Sequence, residues 1–112
     1  MKKIEAIIRP DKMEELQDAL AQAGVKGMTI SQVHGCGKQL GLKEYYRGQE
    51  VLVTTQAKIK FEIVLEDAKC DEVVDLIINT ARTGEIGDGK VFVYNVEEAI
   101  RIRTNGRGAD AL

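Results

Sequence analysis

The sequence predicts an α+β fold, a four-stranded antiparallel sheet carrying two helices on one face. Three observations predict it. Apolar and polar residues alternate over 3–8 and again over 58–65, the period of strands half-buried on a core. Apolar residues at helical spacing follow each strand region: Met13, Leu16, Leu20 and Ala23 in the first half, Cys70, Val73, Val74, Ile77, Ile78 and Ala81 in the second. The resulting order is strand–helix–strand, repeated once, and two such units close into the ferredoxin-like βαββαβ arrangement.

Each element has its own signal. Within 3–8, Ile4, Ala6 and Ile8 share a face, and Arg9-Pro10 breaks the strand. Asp11, with Glu14 three residues on, reads as the N-cap of the first helix, and Gly24 ends that helix. Residues 28–34 read as the second strand, closed by Gly35-Cys36-Gly37. Over 58–65, Ile59, Phe61, Ile63 and Leu65 alternate with Lys58, Lys60, Glu62 and Val64. Residues 91–94 read as the fourth strand and 96–103 as a final extended piece. Helices cover only one face of such a sheet, yet Ile7, Val33 and Val64 point to the other. Apolar residues there predict a second face covered by self-association. The long connection between strands 2 and 3, residues 37–57, is too long for an ordinary turn. A hairpin turning at Arg47-Gly48 is one reading of it, and its mixture of charged residues with Tyr45, Tyr46 and Val51-Leu52-Val53 suits a partner-binding surface.

Composition bounds the function. A chain of 112 residues makes one domain, 1–112, large enough for its own core. A net charge of -2 argues against a bulk nucleic-acid binder, which needs a basic stripe. Five aromatic residues (Tyr45, Tyr46, Phe61, Phe92, Tyr94) leave little for base stacking. No apolar run approaches the length of a membrane span, and two Cys in a self-sufficient core read as reduced thiols of a cytoplasmic protein. One His and two Cys, none at ligand spacing, argue against zinc.

The chemistry lies in three glycine-and-cation elements. Gly84-Glu85-Ile86-Gly87-Asp88-Gly89-Lys90 fits the first seven positions of a P-loop, but Val91 stands where Ser or Thr should ligate magnesium. The segment also follows a helix and precedes a strand, the reverse of P-loop order. Closely spaced glycines still let backbone N–H groups curl into an anion nest, with Lys90 beside them. For this loop alone an ordinary helix-to-strand turn is the favoured reading. In an extended 96–103, Arg101 and Arg103 would share a face about 7 Å apart and straddle a polyphosphate. Gly35-Cys36-Gly37-Lys38 is the third element. Together they favour a polyanionic ligand, a nucleotide. A small phosphatase would need a nucleophile near the Arg pair, and only His34 and Cys36 offer themselves, with no paired base evident.

Several segments now resemble one family. Met1-Lys2-Lys3-Ile4-Glu5-Ala6-Ile7-Ile8-Arg9-Pro10, Gly27-Met28-Thr29, Tyr46-Arg47-Gly48, the run from Thr83 through the 84–90 loop to Val93, and Ile100-Arg101-Ile102-Arg103-Thr104 are similar to the signatures of the PII nitrogen-regulatory signal proteins. The resemblance covers essentially the whole chain. It implies a non-catalytic homotrimer that binds ATP or ADP in the clefts between subunits. Its nucleotide contacts carry over onto Ile7, Thr29, Glu62 and Val64, onto Gly35, Cys36, Gly37 and Lys38, onto Gly87, Asp88, Gly89 and Lys90, and onto Arg101 and Arg103. It implies that Gln39 helps hold a magnesium bridged to ATP, that 2-oxoglutarate binds that ion beside Gly37 and Lys38, and that Lys58 pairs with its distal carboxylate.

The implied partners are an ammonium transporter at the membrane and cytosolic enzymes or regulators of nitrogen metabolism, glutamine synthetase among the candidates. They would be engaged through Tyr45, Tyr46 and Arg47 of the loop, with Arg47 entering the channel exit. Val51 stands where many bacterial members carry a uridylylated Tyr, and Gln49 stands at the cyanobacterial phosphoserine position. The resemblance therefore implies sensing through ligands alone.

Overall fold

Ile4, Ala6 and Ile8 lie fully buried on one side of the first strand, β1 (Lys2–Ile8), and the rest of the core is built outward from them. The computed structural model describes the backbone of residues 1–36, 43–46, 49–52 and 55–112, and the side chains of 1–36 and 55–112. After β1 come α1 (Met13–Gln22), β2 (Thr29–Cys36), β3 (Lys43–Tyr46), β4 (Gln49–Leu52), β5 (Thr55–Leu65), α2 (Asp67–Ala81) and β6 (Lys90–Asn95). The main sheet has the order β2-β5-β1-β6 and every pairing in it is antiparallel. This is the predicted ferredoxin-like arrangement.

Period two along β5 buries Ile59, Phe61, Ile63 and Leu65 against Leu16 and Leu20 of α1 and Cys70, Val73, Ile77 and Ala81 of α2. Each side chain of this size removed from water contributes roughly 1.5–3 kcal/mol. Both cysteines are free, Cys36 exposed and Cys70 buried in the core. No helix among the described residues is long and apolar enough to cross a membrane.

Three expectations need correction. Asp11 is not an N-cap: Pro10–Lys12 form a 3-10 turn, and α1 begins at Met13 with Lys12 at its cap and no side-chain capping bond. Pro10 supplies the reason, since its fixed φ suits the first position of a helical turn and moves the chain's entry one turn earlier. The second strand runs on through Gly35 and Cys36, which pair with Gln56 and Thr55. The segment 96–103 is not extended. The Arg101 N–H donates to the Gly106 carbonyl at 2.9 Å, the Asn105 N–H donates to the Arg101 carbonyl at 2.8 Å, and Ile100 and Arg107 form an isolated bridge. Asn105 takes a φ of 59°. Asn-Gly tolerates left-handed backbone, so Asn105-Gly106 closes a tight turn where the Ile/Arg alternation suggested a strand.

The open face of the sheet carries both apolar and charged residues. Ile7, Val33 and Val64 point there, as expected, and are half-buried, with charged residues among them. Glu5 stands directly opposite Glu62, a repulsive pairing relieved by Lys3. The Lys3 ammonium lies 2.7 Å from Glu62 and 3.7 Å from Glu5, and Lys60 approaches Glu62 at 3.8 Å. Lys3 also lies over the Tyr94 ring.

Within the long connection, β3 and β4 pair as a separate two-stranded antiparallel sheet ending at Tyr46↔Gln49. Residues 37–42, 47–48 and 53–54 lie outside the described residues, as do the side chains of 43–46 and 49–52. Among the expected site residues these include Gly37, Lys38, Gln39, Tyr45, Tyr46 and Arg47.

Candidate functional site

The antiparallel register sorts the expected ligand-binding residues to two ends of the sheet. Thr29 pairs with Glu62 on β5, and Val64 follows two residues later on the same face. These three and Arg101 line one cavity of about 1050 Å³. At the other end, β1 finishes, β6 starts and β5 enters the sheet. There Ile7 pairs with Lys90, and Ile7, Asp88, Gly89 and Lys90 line a second cavity of about 360 Å³. Gly35 and Cys36 close β2 at this same end, and the Lys58 side chain passes Gly35 closely enough that a Cβ there would lie 3.5 Å from its Cγ. Lys58 and Val64 are six residues apart on one strand, about 20 Å at roughly 3.3 Å per residue.

The loop between α2 and β6 is held from within and from below. The Asp88 carboxylate accepts the backbone N–H groups of Thr83 and Gly84, each at 2.9 Å, and the Thr83 hydroxyl. It also accepts Arg9 Nε at 2.9 Å. Together these donors, the Thr83 hydroxyl and Arg9 foremost, hold its pKa well below the usual carboxylate range. Arg9 Nη2 donates to the Ile86 carbonyl at 2.8 Å, and the Lys58 ammonium donates to the Gly87 carbonyl. Gly87 and Gly89 take φ values of 104° and 98°. Only glycine adopts these at little cost, and alternation of this kind builds an anion-binding concavity.

The structure thus brings together Ile7, Gly35, Cys36, Lys58 and Gly87–Lys90 at one end, and Thr29, Glu62, Val64 and Arg101 at the other. It does not bring Arg101 and Arg103 together as neighbours on a strand. Arg101 lines the larger cavity and its Nη2 donates to the Leu112 carbonyl at 3.2 Å, while Arg103 is exposed on the turn. Glu62 is held by Lys3, which lowers its pKa and has its own raised in return. Asp88 has its oxygens committed to the loop, and among the described residues no group of three or more His, Cys, Asp or Glu could hold a metal ion.

Two residues escape sequence reasoning here. Arg9 entered the sequence reading only as part of a strand break and a family signature, and Thr83 only as part of a family signature. Asp88 five residues after Thr83, next to a left-handed Gly84, was the available signal for a side chain folding back on the turn.

A family model for nitrogen regulatory protein P-II matches residues 1–106 of the chain. Proteins named nitrogen regulatory protein P-II are similar over the full length of both chains. That of Microchaete diplosiphon is 54% identical over 112 residues, that of Rhodospirillum rubrum 51% and that of Haemophilus influenzae 50%. The chain belongs to the P-II family, and with its ferredoxin-like fold it is a nitrogen-signalling regulator rather than an enzyme.

Proposed function

We infer that the protein reads nucleotide and 2-oxoglutarate at sites shared between subunits of a homotrimer, and that the long connection between β2 and β5 passes the result to partner proteins. The observation carrying this reading is the division of the expected nucleotide residues between two cavities at opposite ends of the sheet. A shared cleft pairs the glycine loop of one subunit with the Thr29, Glu62, Val64 and Arg101 cavity of the next. The open face of β1, β5 and β6, with Phe92 and Tyr94 exposed on it, supplies area for the association.

Within the cleft, the N–H groups of the 87–89 turn and Lys90 hold phosphate oxygens, and Arg101 adds a cation from across. Lys58, tied to the Gly87 carbonyl, is the ammonium that the resemblance assigns to the distal carboxylate of 2-oxoglutarate. The resemblance assigns magnesium to Gln39, which lies outside the described residues. ATP with 2-oxoglutarate then favours one conformation of the loop and ADP another. A partner that binds only the ADP state must weaken 2-oxoglutarate binding by the same factor. An ammonium transporter and cytosolic enzymes or regulators of nitrogen metabolism are the expected partners.

Mixing tests the shared cleft. Lys90→Ala damages one end of the sheet and Arg101→Ala the other. Each homotrimer should bind ATP weakly in calorimetry. Trimers re-formed from both variants together should regain wild-type affinity at a fraction of their sites, because some clefts combine two undamaged halves. Failure of every mixture to recover tight binding would place the site within one subunit. A monomeric mass by light scattering would also remove the shared cleft.

A further inference from the structure

The glycine loop has its carbonyls pinned by cations, and this decides where its amides point. In a trans peptide the C=O of one residue and the N–H of the next point in opposite directions. Arg9 Nη2 takes the Ile86 carbonyl at 2.8 Å, so the Gly87 N–H is turned away from Arg9. Lys58 takes the Gly87 carbonyl, so the Asp88 N–H is turned away from Lys58. Among the described residues neither amide meets an acceptor.

Arg9 reaches further than this one bond. Its Nε lies 2.9 Å from Asp88 Oδ1, so a single guanidinium holds the loop on both sides of Gly87. Its planar head lies under Gly87, where a Cβ would meet Nη2 at 3.4 Å and Cζ at 3.7 Å. The sequence prepares this placement. Pro10 disfavours helical backbone at the residue before it, and Arg9 is extended at φ -64° and ψ 141°. Arg9 therefore continues the line of β1 past Ile8 and falls on the same face as Ile7. The Ile7↔Lys90 register puts the end of the loop beside it.

We propose that Arg9 is a positioning residue for the anion cradle: from beneath the loop, together with Lys58, it aims the amides of Gly87 and Asp88 at the ligand's phosphates and does not itself touch them. This deepens the reading of a nucleotide site and rests on it. A guanidinium suits the task because its rigid planar fork fixes the directions of two donors at once, where an ammonium sets its donors on one freely rotating centre.

The test compares the full-length protein with its Arg9→Gln and Arg9→Lys variants. In the ligand-free state, NMR order parameters of the Gly87 and Asp88 amides should fall from a rigid value of about 0.85 to below about 0.6 in both variants, while those of the main sheet hold. ATP affinity should drop roughly tenfold to a hundredfold, the scale on which outer-sphere partners orient a site. The salt dependence of ATP binding should match wild type, because no direct ion pair to the ligand is lost. Unchanged order parameters at 87–88, or loss of order throughout the sheet, would overturn the proposal. So would full rescue by Arg9→Lys, or a weaker salt dependence in Arg9→Gln, since either assigns Arg9 a simple charge contact. Should wild type bind no nucleotide, the nucleotide reading fails, and the order parameters alone decide whether Arg9 positions the loop.

Discussion

A Cβ added to Gly89 would lie 1.7 Å from the carbonyl oxygen of Ile7. The neighbouring atom is backbone of the central strand β1, buried beside β5, and cannot swing aside as a side-chain tip would. The contact fixes how near the loop entering β6 lies to the sheet. It also explains why Gly89 is irreplaceable on two counts, since its φ of 98° already disfavours any side chain.

Gly89→Ala should therefore destabilise the fold by at least about 1–3 kcal/mol, the usual cost of one strained backbone position, with the clash added to it. Urea denaturation should show a lower midpoint with little change in slope, because the surface exposed on unfolding is the same. A midpoint equal to that of wild type would mean that the loop does not approach Ile7.

Asp88 makes the loop acid-sensitive. Its folded pKa is depressed below the ordinary 3.8. A group of this kind contributes stability that is fully present above its unfolded pKa and is lost as pH falls toward the folded one. The wild type should lose loop stability on acidification below that ordinary value. Asp88→Asn, which has no charge to lose, should show a flatter stability profile over the same range. Parallel acid profiles for the two proteins would contradict the hydrogen-bonded carboxylate.

Arg101 and Arg103 should separate on mutation. Both are expected to favour ATP over ADP if they reach the terminal phosphates. Arg101→Ala removes a cation from the cavity shared with Thr29, Glu62 and Val64. Where ATP bound in the shared cleft desolvates its pair with Arg101, truncating one partner costs roughly 2–5 kcal/mol, and calorimetry with ATP should show a loss toward that scale. Arg103, exposed on the turn, should cost less. Equal ATP affinity in wild type and both variants would leave the two as surface charges.

Gln39 tests the carbon-sensing half of the proposed function. Gln39→Ala leaves the glycine loop, Lys90 and Arg101 in place, so ATP should bind nearly as in wild type. Binding of 2-oxoglutarate to the ATP-saturated protein should be strongly impaired, and in wild type it should need both magnesium and ATP. Titrations in the presence and absence of magnesium decide this. Equal 2-oxoglutarate binding without ATP, or to Gln39→Ala, would rule out the bridged arrangement.

Much of this molecule is written in local pattern. Period two along β1 and β5 and the apolar spacing of α1 and α2 specified four of the elements and their buried faces. They could do so because a strand or helix with one apolar stripe has only one way to hide it. The glycine spacing at 84–89 marked the loop that turns back into β6, because positive φ is a local demand that glycine meets. What the pattern could not decide was which long side chains meet across the fold. Arg9 and Asp88 are 79 residues apart and join only because β1 and β6 are neighbours in the sheet. The turn at 101–106 escaped for a related reason. The alternation of Ile100-Arg101-Ile102-Arg103 is a strand signal by itself, and Asn105-Gly106 overrides it by drawing Arg107 back onto Ile100. The sorting of the expected ligand residues to two ends of the sheet belongs to tertiary structure alone. Antiparallel register, not distance along the chain, sets which residues share an end, and register follows from burying the alternating faces of all four strands at once.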